Sequence, residues 1–320
     1  MWRAAVVGLG RIGMGYDLAL DARTYVLTHA RAFQQHPAFE LVAGVDFDAV
    51  RRRAFEKHYG VEAFADIGRS LTSTRPDVVA VATPTGEHLQ VVREILGERS
   101  PKALLCEKPL AMEVQEAREI VAACESRDCR LYVNYIRRSE PGVAEVERRL
   151  RAALIGLPVK GVAWYSKGLF NNGSHFLNLL EYWLGAVKAT HLIAAGRRWA
   201  GVDPEPDFVA SFAGGDVAFL AVPEENFTHC AVELVAANGR LRYEQGGGKI
   251  LWQGATADPT YAGYTVLSPE AQIIGTDFDR TQWHVADQLA SSLSDRVARV
   301  CTGAQALQTL ETLASLSMHV

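Results

Sequence analysis

Short uninterrupted apolar runs recur through the first 135 residues, each followed by a polar or glycine-bearing turn. Ala4–Val7, Glu40–Val45, Asp77–Ala82, Ala103–Leu105 and Leu131–Asn134 are too short for helices and lack the alternation of a half-wet strand. They read as strands buried on both faces. Glu87–Gly97 and Glu113–Glu125, lying between them, have helical spacing. Strands alternating with helices predict a doubly wound parallel sheet, an α/β Rossmann domain over residues 1–135. After Pro141 the pattern changes. Val143–Leu154 is helical, and then short β-rich runs dominate: Val159–Ser166, Thr190–Ala195, Asp207–Phe212, Asp216–Val222, Cys230–Ala236 and Arg240–Tyr243. Asn238-Gly239 is a hairpin turn signal. Gln282–Leu293 and Ala304–His319 return to helical spacing. Residues 136–320 are therefore expected to form an α+β domain built on an antiparallel sheet.

One helix interrupts those strands, spanning Asn171 to Gly185. Phe176, Leu179, Leu180 and Trp183 make its apolar stripe, and His175, Asn178 and Tyr182 a polar one. Residues three, four and seven apart share a helix face. A polar stripe on so apolar a helix faces solvent or a cleft, and the sequence taken this far favours solvent.

Composition narrows the function. In 320 residues, 48% are hydrophobic and 22% charged, with a formal net charge of −4, so nothing favours nucleic acid or an anionic membrane. No segment has the apolar length to span a bilayer. Met1–Gly8 lacks a signal-peptide pattern. Cys106, Cys124, Cys129, Cys230 and Cys301 form no CxxC pair, and their odd number argues against a disulfide framework. They are read as reduced thiols of a cytoplasmic protein with no metal site.

Candidate chemistry gathers where strands end. Gly8-Leu9-Gly10-Arg11-Ile12-Gly13 follows the first strand directly. In that context the first glycine permits a tight turn, the second lets a pyrophosphate approach the backbone, and the third permits close helix packing, while amides near Arg11 and Ile12 bind the anion. Asp46 ends the second strand, where an acid binds ribose hydroxyls and favours NAD. Arg51 and Arg52 stand close enough to leave NADP open. The gap from Gly13 to Asp46 exceeds the usual ~20 residues. The excess, Met14–Thr28, is expected near the cofactor mouth as either a lid or a solvated excursion. Thr83-Pro84 and His88 lie at the ligand edge, with Thr85 as a helix cap. Cys106-Glu107-Lys108-Pro109 closes the fifth run and aims Lys108 toward the ligand crevice, across a peptide bond open to cis.

The glycine loop, Asp46, Thr83-Pro84, Glu107-Lys108-Pro109 and Gly173-x-His175 occur in one order. Together they give a chain that resembles the glucose–fructose oxidoreductase / inositol dehydrogenase family (Gfo/Idh/MocA) over nearly its whole length. The resemblance implies a Rossmann domain and a second domain with a large open sheet used for homodimer or homotetramer formation. It also implies NAD(P)-dependent hydride transfer to or from a secondary alcohol or ketone of a sugar, sugar nucleotide or cyclitol. It carries Lys108 and His175 over as the catalytic pair, with Glu107 beside the cofactor and His29 at a displaced family position. Asn171 and Asn178 stand where the family often has aspartates, which weakens His175 as a base. Asn171, Asn178, Tyr182 and Arg138 are the expected substrate contacts. A reductase of a non-sugar substrate such as a dihydrodiol, and a non-catalytic NAD(P) sensor, are the rival readings.

Overall fold

The computed structural model describes residues 1–223 and 227–318. Contacts divide them into two compact units: Met1–Ser139 with Asp279–Gln308, and Glu140–Phe278 with the residues from Thr309 on. The contiguous division at 135/136 is thus corrected, for a physical reason. Helix Thr281–Leu293 places Val285, Ala286, Leu289 and Leu293 in the apolar core of the first unit. Cys301–Thr302 then pairs antiparallel with a strand of that unit's sheet.

The first unit is built on six parallel strands: β1 (Trp2–Val7), β2 (Phe39–Val45), β3 (Ala63–Phe64), β4 (Val78–Val81), β5 (Ala103–Cys106) and β6 (Arg130–Val133). Their order is β6-β5-β4-β1-β2-β3, and Cys301–Thr302 extends it beyond β6. Each apolar run became a strand because both sheet faces are covered; β4 and β5 are buried at every position. Helices α1 (His29–Gln35), α2 (Ala49–Tyr59), α3 (Ile67–Thr74), α4 (His88–Glu98) and α5 (Val114–Glu125) supply much of the cover. The winding reverses between β1 and β4, and the crevice outside the carboxyl ends of such strands is where ligands bind. Gly8 follows β1 there, and Thr83 lies just past the end of β4. Thr85 is not a side-chain cap; it opens a short 3-10 turn, Thr85–Glu87, ahead of α4.

The second unit holds helices α6 (Pro141–Arg151) and α7 (Ser174–Leu184). Its strands are β7 (Val159–Tyr165), β8 (Val187–Trp199), β9 (Asp203–Phe212), β10 (Gly215–Ala221), β11 (Ala231–Ala236), β12 (Gly239–Glu244), β13 (Lys249–Ala257), β14 (Thr265–Leu267) and β15 (Gln272–Ile274). The sheet order is β14-β13-β12-β11-β7-β10-β9-β8, with β15 beside β13. All pairs are antiparallel except β7 with β10, which run parallel from Val159↔Gly215 to Tyr165↔Ala221. The turn at Asn238 joins β11 to β12, with Ala236 opposite Gly239. Alternation places Val232, Leu234, Leu241 and Tyr243 in the core with Phe176, Leu179, Leu180 and Trp183 of α7. Phe208 and Phe219 stack at its centre, 4.5 Å apart.

The final helix runs Gly303–Ser317, and His319, expected at its end, lies outside the described residues. The five cysteines carry free thiols. Among the described residues no helix is long and apolar enough to cross a membrane.

Candidate active site

In the first unit a cleft of about 490 Å3 opens at the carboxyl ends of β1, β2 and β4. Gly8, Gly10, Arg11, Ile12, Asp46, Thr83 and Pro84 line it, as expected, and Tyr16 and Arg51 join them. Gly8 has φ +95°, and a side chain there would lie 2.6 Å from the Ala82 carbonyl. A Cβ on Gly13 would sit 1.9 Å from the Gly8 carbonyl oxygen, whereas one on Gly10 would meet nothing closer than Arg51 at 4.0 Å. The loop is therefore compressed on its inner side and bare on the side a pyrophosphate would approach. Asp46 shapes this loop: its carboxylate accepts from the Leu9 amide at 2.9 Å and the Asp48 amide at 2.8 Å. Arg51 stands 3.4 Å from the same carboxylate. Asp48, not Asp46, caps α2 through the Val50 amide. These residues fit a dinucleotide: an anion at the ribose end, an open glycine backbone and a cleft of cofactor size.

Past Gly13 the chain does not continue as a long helix. Gly15 and Tyr16 donate to carbonyls five residues back, Gly10 and Arg11, in a single π-turn. The segment 16–28 is anchored at both ends, while residues 19–24 between them are exposed. Asp17 and Val26 are fully buried. The Asp17 carboxylate accepts from the amides of Leu27 (2.7 Å) and Thr28 (3.1 Å) and from the Thr28 hydroxyl (2.8 Å). Buried Arg31 donates to the carbonyls of Asp17, Leu20 and Tyr25.

That closure returns the chain to α1, which opens with His29. His29 Nε2 lies 2.7 Å from Glu107 Oε1, and Asn134 donates to the same oxygen at 2.6 Å. Glu107 Oε2 accepts from the Lys108 amide at 3.3 Å, and the Lys108–Pro109 bond is cis. Burial pushes the Glu107 carboxyl up, but the His29 and Asn134 hydrogen bonds and the Lys108 charge outweigh it. The carboxyl is held below its usual range. A mostly buried carboxylate thus stands at the base of Lys108, held from two sides.

In the second unit, His175 and Asn178 lie on α7 and are buried, so the polar stripe does not face solvent. Gly168–Gly173 ahead of α7 is another π-turn, which two acids of β9 hold. Asp203 accepts from the amides of Phe170 (3.0 Å) and Asn171 (2.9 Å). Fully buried Glu205 accepts from the Gly168 amide at 3.0 Å and from Arg197 at 2.7 Å. Desolvation pushes the Asp203 carboxyl above its ordinary value despite those amides. These acids were missed because they lie some thirty residues past the turn they serve.

Three expected contacts are corrected. His88 is fully buried, with its ring nitrogens 3.0 Å from the carbonyls of Leu110 and Thr83. It ties the turn after β4 to the one after β5 and has no ring nitrogen left for a cofactor. Asn178 is fully buried and donates to Thr309 at 2.9 Å. Arg138 is buried and donates to Gln305. Helical spacing gave no sign that these polar groups face inward. Asn171 and Tyr182 are half-buried, and Tyr182 packs against the core.

A doubly wound unit with a Lys-Pro turn beyond its fifth strand thus shares one chain with a large, mostly antiparallel sheet unit. Residues 2–135 match the model of the Gfo/Idh/MocA oxidoreductase family with an NAD-binding Rossmann fold. It is 28% identical to a D-apiose dehydrogenase of Paraburkholderia graminis over 67% of this chain and 58% of that one. It is 32% identical to an inositol 2-dehydrogenase of Rubrobacter xylanophilus over 40% and 37% of the two chains. The matches thus span about half the length of these relatives. The crystal structure of the WlbA dehydrogenase from Bordetella pertussis, in complex with NADH and UDP-GlcNAcA, superposes with a TM-score of 0.75 at 18% identity. That match covers 99% of this chain and 96% of the other. The first unit is accordingly an NAD-binding Rossmann fold, which its cleft fits.

Proposed function

We propose that the protein is an NAD-dependent oxidoreductase acting on a CH–OH group, the secondary alcohol or ketone of a sugar, sugar nucleotide or cyclitol. The observation that carries this reading is the mostly buried Glu107 carboxylate, gripped by His29 and Asn134 at the foot of Lys108, in the same unit as the glycine-loop cleft. The dehydrogenase names of the relatives support the substrate class.

The nicotinamide, when bound, supplies the hydride chemistry. The chain supplies geometry and proton handling. A lysine is ordinarily an ammonium ion at neutral pH, a hydrogen-bond donor and a poor base. Lys108 therefore holds the reacting oxygen as a charged donor. Asp203 and Glu205 fix the turn from which His175 is presented.

The test is NADH formation on a panel of aldoses, inositols and nucleotide sugars. A protein that binds NADH and turns over none of them, nor their ketones in reverse, would instead be a nucleotide sensor. Cofactor choice has its own test. Asp46→Asn keeps an acceptor for Leu9 but removes the anion beside Arg51. The expected result is a shift of about tenfold or more in relative affinity toward NADPH, read by fluorescence titration with both cofactors. An unchanged ratio would take Asp46 out of cofactor selection.

A further inference from the structure

We propose that Tyr16 is a dinucleotide-binding residue whose phenolic hydroxyl donates to the cofactor's pyrophosphate, and that the closed segment 17–28 serves to present it. The inference rests on the NAD reading of the cleft and adds a contact that the glycine loop does not contain.

Four observations lead to it. Tyr16 lines the cleft alongside Gly10, Arg11 and Ile12, the part of the loop whose bare backbone a pyrophosphate approaches. The π-turn places it there: its amide reaches Arg11, five residues back, at 2.8 Å. Such turns add a residue to a helical turn and so rotate the residues beyond them. Tyr16 is 53% exposed while its neighbour Asp17 is 0% exposed, so the chain turns one residue outward and buries the next. Its hydroxyl has no hydrogen-bond partner among the described residues and is available to a ligand.

The platform beneath it is rigid. Asp17 collects two amides and a hydroxyl, and Arg31 closes over the carbonyls of Asp17, Leu20 and Tyr25. A side chain held on such a base loses little freedom on binding, so more of its hydrogen bond appears as affinity. A phenol also suits the ligand. It donates to a phosphate oxygen without adding a cation, and hydrogen bonds to charged groups are the stronger kind.

The experiment is titration of wild type, Tyr16→Phe and Tyr16→Ala with NADH, ADP-ribose and adenosine, with thermal melts of the three proteins without ligand. Tyr16→Phe removes one oxygen from a half-exposed side chain, so the melting temperature should stay within a degree or two. The expected result is a roughly tenfold weaker Kd for NADH and for ADP-ribose in both variants, with adenosine binding unchanged. Unchanged NADH binding in Tyr16→Phe would overturn the proposal, even if Tyr16→Ala binds more weakly, because the ring and not the hydroxyl would then be the contact. Equal loss for adenosine, which has no phosphate, would overturn the assignment to the pyrophosphate. Wild type that binds none of the three ligands would overturn the NAD reading itself, and the inference with it.

Discussion

Replacing Lys108 by alanine should lower kcat by about a hundredfold or more while moving the Kd for NADH only a few-fold. The substitution keeps the backbone amide that donates to Glu107 and leaves the His29–Glu107–Asn134 network in place. It therefore deletes the ammonium without dismantling the turn that carries it. The reacting oxygen would lose its charged donor, a loss felt most where negative charge develops on that oxygen. Steady-state rates on whichever substrate the panel identifies, alongside NADH titration, separate the two effects. A near-normal kcat would remove Lys108 from the chemistry.

An equally large effect on binding is expected from Gly13→Ala. The new methyl would lie 1.9 Å from the Gly8 carbonyl oxygen and 3.0 Å from its carbon. Gly8 cannot retreat. Its amide donates to Val45 at 2.8 Å, and its other side abuts the backbone of Ala82 and Thr83. The clash must be relieved by moving the π-turn, which carries Arg11, Ile12 and Tyr16 out of register with the cleft. Overpacking of this kind costs about 1–3 kcal/mol. The variant should melt several degrees lower and bind NADH at least a hundredfold more weakly. Wild-type affinity would mean that the loop accommodates a side chain and that its tight inner packing is not what shapes the cofactor site.

These two positions were legible before any coordinates, for different reasons. Gly13 belongs to a spacing that has mechanical meaning directly after a strand. Lys108 stands out because a cation at the end of a fully apolar run demands an explanation. Five of the six parallel strands were equally readable, since both faces are largely buried and the runs stay mostly apolar; β3, only two residues long, was not. Strands β13, β14 and β15 were not. β13 is exposed over Ala255–Ala257 and β14 throughout, so neither apolar runs nor clean alternation marks them.

Polar residues that face inward were the least visible. His88, Asn178 and Arg138 look like solvent or ligand groups in a linear reading. Their partners are a carbonyl at Leu110, the Thr309 hydroxyl and the Gln305 amide, distant in sequence and set by tertiary packing. The segment 16–28 shows the same limit. Its composition resembles a loop, and only the burial of Asp17 against Arg31 reveals it as an ordered part of the unit.

The return of residues 279–308 to the nucleotide unit bears on how the protein is made. Cys301–Thr302 covers the outer edge of β6, and Val285, Ala286 and Leu289 help fill the apolar interior. A ribosome delivers those residues only after all of Glu140–Phe278. Until they emerge, the nascent Rossmann sheet has an unpaired border and an incomplete interior, the kind of intermediate that chaperones attend. Cofactor capture therefore has to wait for residues beyond the second unit's strands, and a version cut at residue 139 would be expected to aggregate instead of yielding a minimal NAD-binding module.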